Sequence, residues 1–201
     1  MKTLLYINAC MRAGSRTERL ARDYLRQAFP PGEFALQEVR VADLDLQPLG
    51  GADIALRDAD IAAGRTDTPP YAPARAFAAA DEIVVAAPFW DAAFPSKLKV
   101  YLEHICVQSV TFGYGADGRP AKLCRAEQLV YITTAGGPLR RTPAVKLLWE
   151  ELCGLFAIDD LRFYCAEGLD VDPAAVDGIL QNTLAAMLAD RGALPEAHPR
   201  G

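Results

Sequence analysis

Gln128-Leu129-Val130-Tyr131-Ile132-Thr133 runs directly into Thr134-Ala135-Gly136-Gly137-Pro138, and the reading of this stretch decides the fold. The first six residues form an apolar run that suits a strand buried on both faces. TAGGP cannot continue it, because two adjacent glycines and a proline impose a turn with close backbone approach. Two other segments follow the same pattern. Residues 82–87 are apolar and end in Pro88-Phe89-Trp90-Asp91, and residues 3–8 are apolar and end in the loop 9–16. Ligands of open α/β sheets bind beyond the carboxyl ends of the strands. The three exits therefore read as three walls of one site.

Outward from these strands the chain alternates. Residues 2–8 predict a buried central strand, and residues 17–28 a helix whose inner face carries Leu20, Tyr24, Leu25 and Ala28. Pro30-Pro31-Gly32 stops that helix. Residues 34–41 alternate apolar and polar as an edge strand would. Residues 43–73 lose the pattern among Gly50-Gly51, Gly64 and Pro69-Pro70 and predict a long excursion with one or two short helices. Residues 74–80 are a helix, 82–87 a strand, 95–107 a helix, and 110–118 a small hairpin or flap. After strand 128–133 come a helix over 143–156, a strand over 161–166 and a helix over 173–190. Strands and helices in this alternation predict an α/β three-layer sandwich, a five-stranded parallel sheet with helices on both faces. The common five-strand order is 2-1-3-4-5, with the ligand at the switch between the first and third strands. One domain over 1–191 and a frayed tail over 192–201 are expected.

The bulk numbers narrow the partners. The chain has 201 residues, 51% hydrophobic and 23% charged, with a net charge of −5. Nucleic-acid binding without sequence preference rests on phosphate neutralisation by Lys and Arg, which an acidic chain does not favour. No apolar stretch approaches the roughly 20 residues of a membrane span, and the apolar run at the N-terminus is short for a signal peptide. The five cysteines (Cys10, Cys106, Cys124, Cys153 and Cys165) are scattered and form no C-x-x-C, so a reducing cytoplasm is expected. With two histidines, His104 and His198, no metal site is expected.

The first loop, Ala9-Cys10-Met11-Arg12-Ala13-Gly14-Ser15-Arg16-Thr17, leads into a helix N-terminus, where free N–H groups favour an anion. Arg12 and Arg16 add charge there, and Ser15 and Thr17 add hydroxyls. The same residues suit a plain N-cap equally well, with Glu18 in the first turn. G-x-x-x-x-G-K-[ST], G-x-G-x-x-G and G-x-S-x-G are all lacking, which disfavours a nucleoside triphosphate, a tightly held dinucleotide and an α/β-hydrolase. A Ser/Thr loop for a single phosphate points to a mononucleotide. The second loop carries Phe89, Trp90 and Phe94, suited to a flat ring or else to the core. The third offers bare backbone at Gly136 and Gly137, suited to the polar edge of a ring system or else simply a turn.

These segments resemble the FMN-dependent NADH:quinone oxidoreductase and azoreductase family, which has a flavodoxin-like fold. The resemblance runs from about residue 4 to 168 and is most specific in IVVAAPFWDAAFPSKLKVYLEHI, SVTFGYGADGRPAKL and LVYITTAGG. It implies that FMN is held by Ser15, Arg16 and Thr17 at its phosphate and by Pro88, Phe89, Trp90, Asp91 and Ala92 along its ring. Thr134, Ala135, Gly136 and Gly137 would meet the polar edge of that ring. Cys10 stands where serine is common, Asp91 where asparagine is common, and Ala135 where an arginine is sometimes found. The resemblance further implies a homodimer with FMN at the subunit interface. NADH or NADPH would be the donor and a quinone or azo compound the acceptor, in a ping-pong cycle. The flavin would carry the chemistry with no catalytic side chain. Phe112 and Tyr114 in the flap are candidates to stack on nicotinamide or quinone, or to pack the flap onto its own domain. A flavodoxin-type electron carrier and a non-catalytic flavodoxin-like interaction domain are the rival readings. The excursion 43–73 and the flap 110–120 exceed what a minimal carrier needs.

Overall fold

The computed structural model describes residues 1–139 and 142–192. In chain order these contain β1 (Lys2–Asn8), α1 (Arg16–Ala28), β2 (Phe34–Arg40), α2 (Gly51–Ala62), α3 (Ala72–Ala79) and β3 (Glu82–Ala86). Then follow α4 (Ser96–Ile105), β4 (Gln128–Thr134), α5 (Ala144–Phe156), β5 (Asp160–Ala166) and α6 (Val176–Gly192). The strands form one parallel sheet in the order β2-β1-β3-β4-β5, as the alternation predicts. Of the tail expected over 192–201, Gly192 closes α6 and the remainder lies outside the described residues.

The period of two along a strand divides the core. Leu5, Ile7, Ile83, Val85, Leu129 and Tyr131 point to one face, where they pack with Phe77 of α3, Leu98, Tyr101 and Leu102 of α4, and Trp149 and Phe156 of α5. Leu4, Tyr6, Val84, Ala86, Val130 and Ile132 point to the other, against Leu20, Tyr24 and Leu25 of α1 and Leu180 and Met187 of α6. Burial on both faces explains why β1, β3 and β4 read as continuous apolar runs. The edge strands β2 and β5 are only half-buried for most of their length.

The excursion proves more ordered than its sequence pattern suggests. It holds a 12-residue helix, α2, and 3-10 turns at Val41–Asp43 and Pro69–Tyr71. No residue of α2 is buried, so it carries no apolar stripe from which to read it. Polar contacts hold it, together with half-buried Ile61, which packs against the core that faces α4. Asp53 accepts from the Gly50 N–H at 2.8 Å, and Arg57 donates to the Glu103 carbonyl of α4 at 3.2 Å. The flap is less regular than a hairpin. Isolated bridges join Gln108 to Phe112 and Tyr114 to Pro120, and buried Thr111 pins its base by donating to the Ile105 carbonyl at 2.6 Å.

Candidate functional site

The carboxyl ends of β1, β3 and β4 converge as the strand exits predict, and the loop after β5 joins them. The pocket between them, about 480 Å³ with its open mouth included, is lined by Met11, Arg12, Ser15, Arg16 and Thr17 from the first loop and by Pro88, Phe89 and Trp90 from the second. Thr134, Ala135 and Gly136 line it from the third loop, and Leu169 and Asp170 from the fourth.

Ser15 is the N-cap of α1, its Oγ accepting from the Glu18 N–H at 3.3 Å. The N-cap reading of the sequence is therefore correct for Ser15, and the cap leaves other donors of the helix head open. The Arg16 and Thr17 N–H groups, at the head of the helix, have no hydrogen-bond partner among the described residues. Such groups, together with the helix dipole, favour an anion. The Thr17 hydroxyl is spent elsewhere: its Oγ1 lies 2.6 Å from Thr134 Oγ1 in a buried contact that ties the first loop to the third. Behind the loop, Asn8 Nδ2 donates to Glu18 at 3.0 Å and Glu38 at 3.1 Å, Arg22 bonds both carboxylates, and Asn8 Oδ1 accepts from the Cys10 N–H. This network holds the base of the loop.

Cys10 is buried behind the loop and does not line the pocket. Its Sγ lies 3.8 Å from the Ala86 carbonyl, and burial pushes the thiol up to about 11. It packs in the core face shared with α1.

In the second loop Pro88 is buried, Phe89 half-buried, and Trp90 exposed at 37%, which leaves an aromatic ledge at the pocket wall. Trp90 and Ala93 exchange backbone hydrogen bonds of 3.1 and 2.8 Å, closing a two-residue turn. Asp91 and Ala92 both have positive φ, 51° and 62°, as that kind of hairpin turn demands. Neither lines the pocket. Both side chains project from the turn tip into solvent, and their N–H groups have no partner among the described residues.

The third loop differs most from its sequence reading. The Ala135 N–H donates to the Ala166 carbonyl, the Leu169 N–H to the Ala135 carbonyl and the Asp170 N–H to the Gly136 carbonyl, at 2.9, 3.2 and 2.9 Å. Much of its bare backbone is therefore zipped to the loop after β5. The glycine at 136 has a specific cause, since a Cβ there would overlap Asp170 Oδ2. Gly137 has open space at the corresponding point but stands outside the pocket lining. Arg16 completes the closure, donating from Nη1 to the Leu169 carbonyl at 2.7 Å and from Nη2 to Asp170 Oδ1 at 2.5 Å.

Phe112 is half-buried against the core that faces α4, and Tyr114 is 62% exposed; neither lines the pocket. Leu169 and Asp170 are lining residues that sequence reasoning did not name, and Met11 enters there only as part of the first loop. The signal for Leu169 and Asp170 was present: residues 167–170 follow the carboxyl end of β5, where the rule used for the other three strands applies equally.

A chain with this sheet order and this cluster of loops has a flavodoxin-like fold, and a family model described as flavodoxin-like fold matches residues 2–190. The FMN-dependent NADH:quinone oxidoreductase of Bordetella petrii is 33% identical over 193 residues, covering 89% of this chain and 90% of that protein. FMN-dependent NADH:quinone oxidoreductase 2 of Clostridium acetobutylicum is 38% identical over 113 residues, spanning 54% of this chain and about half, 56%, of that protein. A crystal structure of azoreductase from Bacillus anthracis superposes with a TM-score of 0.79 at 19% identity, covering 95% of this chain and 99% of that one, and shares the fold. The chain belongs to the flavodoxin-like fold family and, within it, to the FMN-dependent NADH:quinone oxidoreductases.

Proposed function

We propose that this chain is an FMN-dependent oxidoreductase that passes two electrons from NADH, or NADPH, to quinones, azo compounds or similar acceptors in a ping-pong cycle. One observation carries the reading: a single pocket joins the open head of α1, two arginines and an aromatic ledge. Those residues fit a flavin mononucleotide. The Arg16 and Thr17 N–H groups, with the Arg12 and Arg16 guanidinium groups, would take the phosphate. Pro88, Phe89 and Trp90 would take the flat ring, and the Asp91 and Ala92 N–H groups at the turn tip would reach its rim. Gly136 and Gly137 would meet the polar edge with the backbone groups that the loop after β5 leaves open. When bound, FMN supplies the two-electron hydride chemistry. The protein binds and orients it, and no side chain in the pocket is needed as an essential acid or base.

Residues 1–191 are read as one functional unit that works as a homodimer. Supporting this, α2 has no fully buried residue, and Ile54, Leu56, Trp90 and Tyr114 stand exposed. Exposed apolar groups of this kind suit a second copy, and Tyr114 is placed to meet nicotinamide or acceptor from one subunit or the other. Five unbridged cysteines suit a reducing cytoplasm.

The test begins with the purified protein. It should be yellow, with a flavin spectrum, and NADH oxidation should rise on addition of a quinone or azo dye, with parallel lines in double-reciprocal plots. Sedimentation should give a dimer. Protein that stays colourless after incubation with FMN overturns the reading. Protein that holds FMN but leaves NADH unoxidised is a carrier.

A further inference from the structure

One acidic side chain stands among the described residues that line the pocket, and it is held there from two directions. The Asp170 N–H is bonded to the Gly136 carbonyl, and its carboxylate lies against the Cα of Gly136. The same carboxylate pairs with Arg16, a cation at the head of α1, whose other terminal nitrogen is taken by the Leu169 carbonyl. An anion thus already sits on the guanidinium that a phosphate would use. A helix head with two arginines beside it is a strongly cationic cleft. With Asp170 in place, one of those two charges is neutralised before any ligand arrives.

We propose that Asp170 is a specificity-determining residue of this pocket, its carboxylate occupying Arg16 and thereby limiting how strongly the site prefers a phosphorylated flavin over the unphosphorylated one. The proposal rests on the reading that FMN phosphate binds at the head of α1. The sign follows from Coulomb's law. A phosphate dianion that reaches Arg16 either displaces Asp170 or lies across the guanidinium from it, and both cost affinity. Riboflavin, with no phosphate, meets no such cost. Across the width of a guanidinium in a water-exposed setting, one unit of negative charge against a dianion is worth about three- to tenfold in binding at low ionic strength, and much less at about 1 M salt. The pair is exposed enough for that screening: the Arg16 and Asp170 side chains have relative accessibilities of 31% and 67%.

Asp170→Asn tests this without a change of shape, because the amide oxygen can still accept from Arg16. The quantities to measure are the dissociation constants of FMN and riboflavin, read from quenching of flavin fluorescence on the flavin-stripped protein at low and high salt. The expected result is FMN binding about three- to tenfold tighter in Asp170→Asn at low salt, with riboflavin unchanged and the gain lost at high salt. Asp170→Ser is the second variant and should move the same way. A wild-type preference for FMN over riboflavin that both variants leave unchanged or diminish overturns the role of Asp170 alone. FMN binding no tighter than riboflavin binding in the wild type and in both variants overturns the phosphate placement, and this proposal with it.

Discussion

Thr17 and Thr134 offer the sharpest test of how the pocket is held together. Their hydroxyl oxygens are 2.6 Å apart, and the residues are 1% and 8% exposed. Replacing one by valine keeps the shape and removes one hydroxyl. The survivor is then buried without a partner, which costs about 1–3 kcal/mol. Thr134→Val should fall toward the upper end, because the Thr17 hydroxyl it strands is the more deeply buried. Replacing both leaves two apolar groups in contact, and this is nearly neutral or costs up to about 1 kcal/mol. The double variant should therefore recover about 1 kcal/mol or more relative to the sum of the singles, a coupling readable in a double-mutant cycle. For a chain of this size about 2–4 °C of Tm accompanies each kcal/mol. Thermal unfolding of the four flavin-free proteins, followed by far-UV circular dichroism, gives the numbers directly. Strict additivity would refute the reasoning, because two hydroxyls that do not share a bond have nothing to recover. The contact also ties the first loop to the third, so each single variant should bind FMN more weakly while the double variant regains part of the loss.

Ala92 and Ala157 both adopt left-handed backbone, φ 62° and 52°, the first at the tip of the aromatic loop and the second as C-cap of α5. Each change to glycine should raise stability by about 0.5–1 kcal/mol, seen as a higher urea midpoint with an unchanged slope; a loss of stability at Ala157 would show that the strain argument is wrong. Burial alone would raise the Glu18 carboxyl, but hydrogen bonds from Arg22, Arg40 and Asn8 outweigh it and hold the group below its ordinary value. A carboxyl depressed on folding contributes stability above its unfolded pKa of about 4.3, and that stability is lost as pH falls through the folded value. Glu18→Gln should accordingly be less stable than wild type at neutral pH and converge with it in acid, and parallel stability curves from about pH 7 to pH 3 would count against the network. Burial pushes the thiols of Cys10 and Cys106 up to about 11, and those of Cys124, Cys153 and Cys165 up to about 12. Only the thiolate reacts, so a disulfide reagent at about pH 8 should modify the native protein slowly and all five cysteines quickly in urea. A Cys10 that reacts quickly in the native state would show that the first loop opens.

Most of the sheet could be read from the chain because its central strands are buried on both faces, which writes an unbroken apolar run at residues 3–8, 82–87 and 128–133. Helix α1 was legible for a different reason: its buried residues Leu20, Tyr24, Leu25 and Ala28 recur at helical spacing. Helix α2 was legible only as a short helix without bounds inside the excursion, since it buries no residue outright and meets the core through Ile61 alone, and hydrophobic periodicity is blind to the polar contacts that position the rest. The turn at Asp91-Ala92 was hidden. Its two positive φ angles would be announced by Asn-Gly, whereas Asp-Ala reads as an ordinary loop. The convergence of the three exits on one pocket follows from strand order and was legible. The partners of individual side chains within it were not. Nothing in the spacing of residues 17 and 134 shows that their hydroxyls meet, or in that of residues 16 and 170 that their charges do.

Gly136 shows why that distinction bears on function. As sequence, Gly136-Gly137 invites the inference that backbone is bared for a ligand. In the structure Gly137 is the open one, and the space above Gly136 belongs to Asp170. The two glycines answer different demands. The first lets the loop after β5 close onto the loop after β4, and that closure delivers a carboxylate to the head of α1. The fourth loop thus adds the one acidic side chain among the described lining residues, from outside the Ser-Arg-Thr corner where the phosphate would sit. Two chains with identical first loops can differ in their hold on a phosphate according to the residue at position 170. Among the described lining residues, a neutral side chain there leaves both arginines without a counter-ion, and an acidic one leaves only Arg12 so. On the proposal made above, the hold of this pocket on a phosphate would depend on how its four loops close on one another, because the first loop read alone counts the Arg16 charge without the Asp170 carboxylate paired to it.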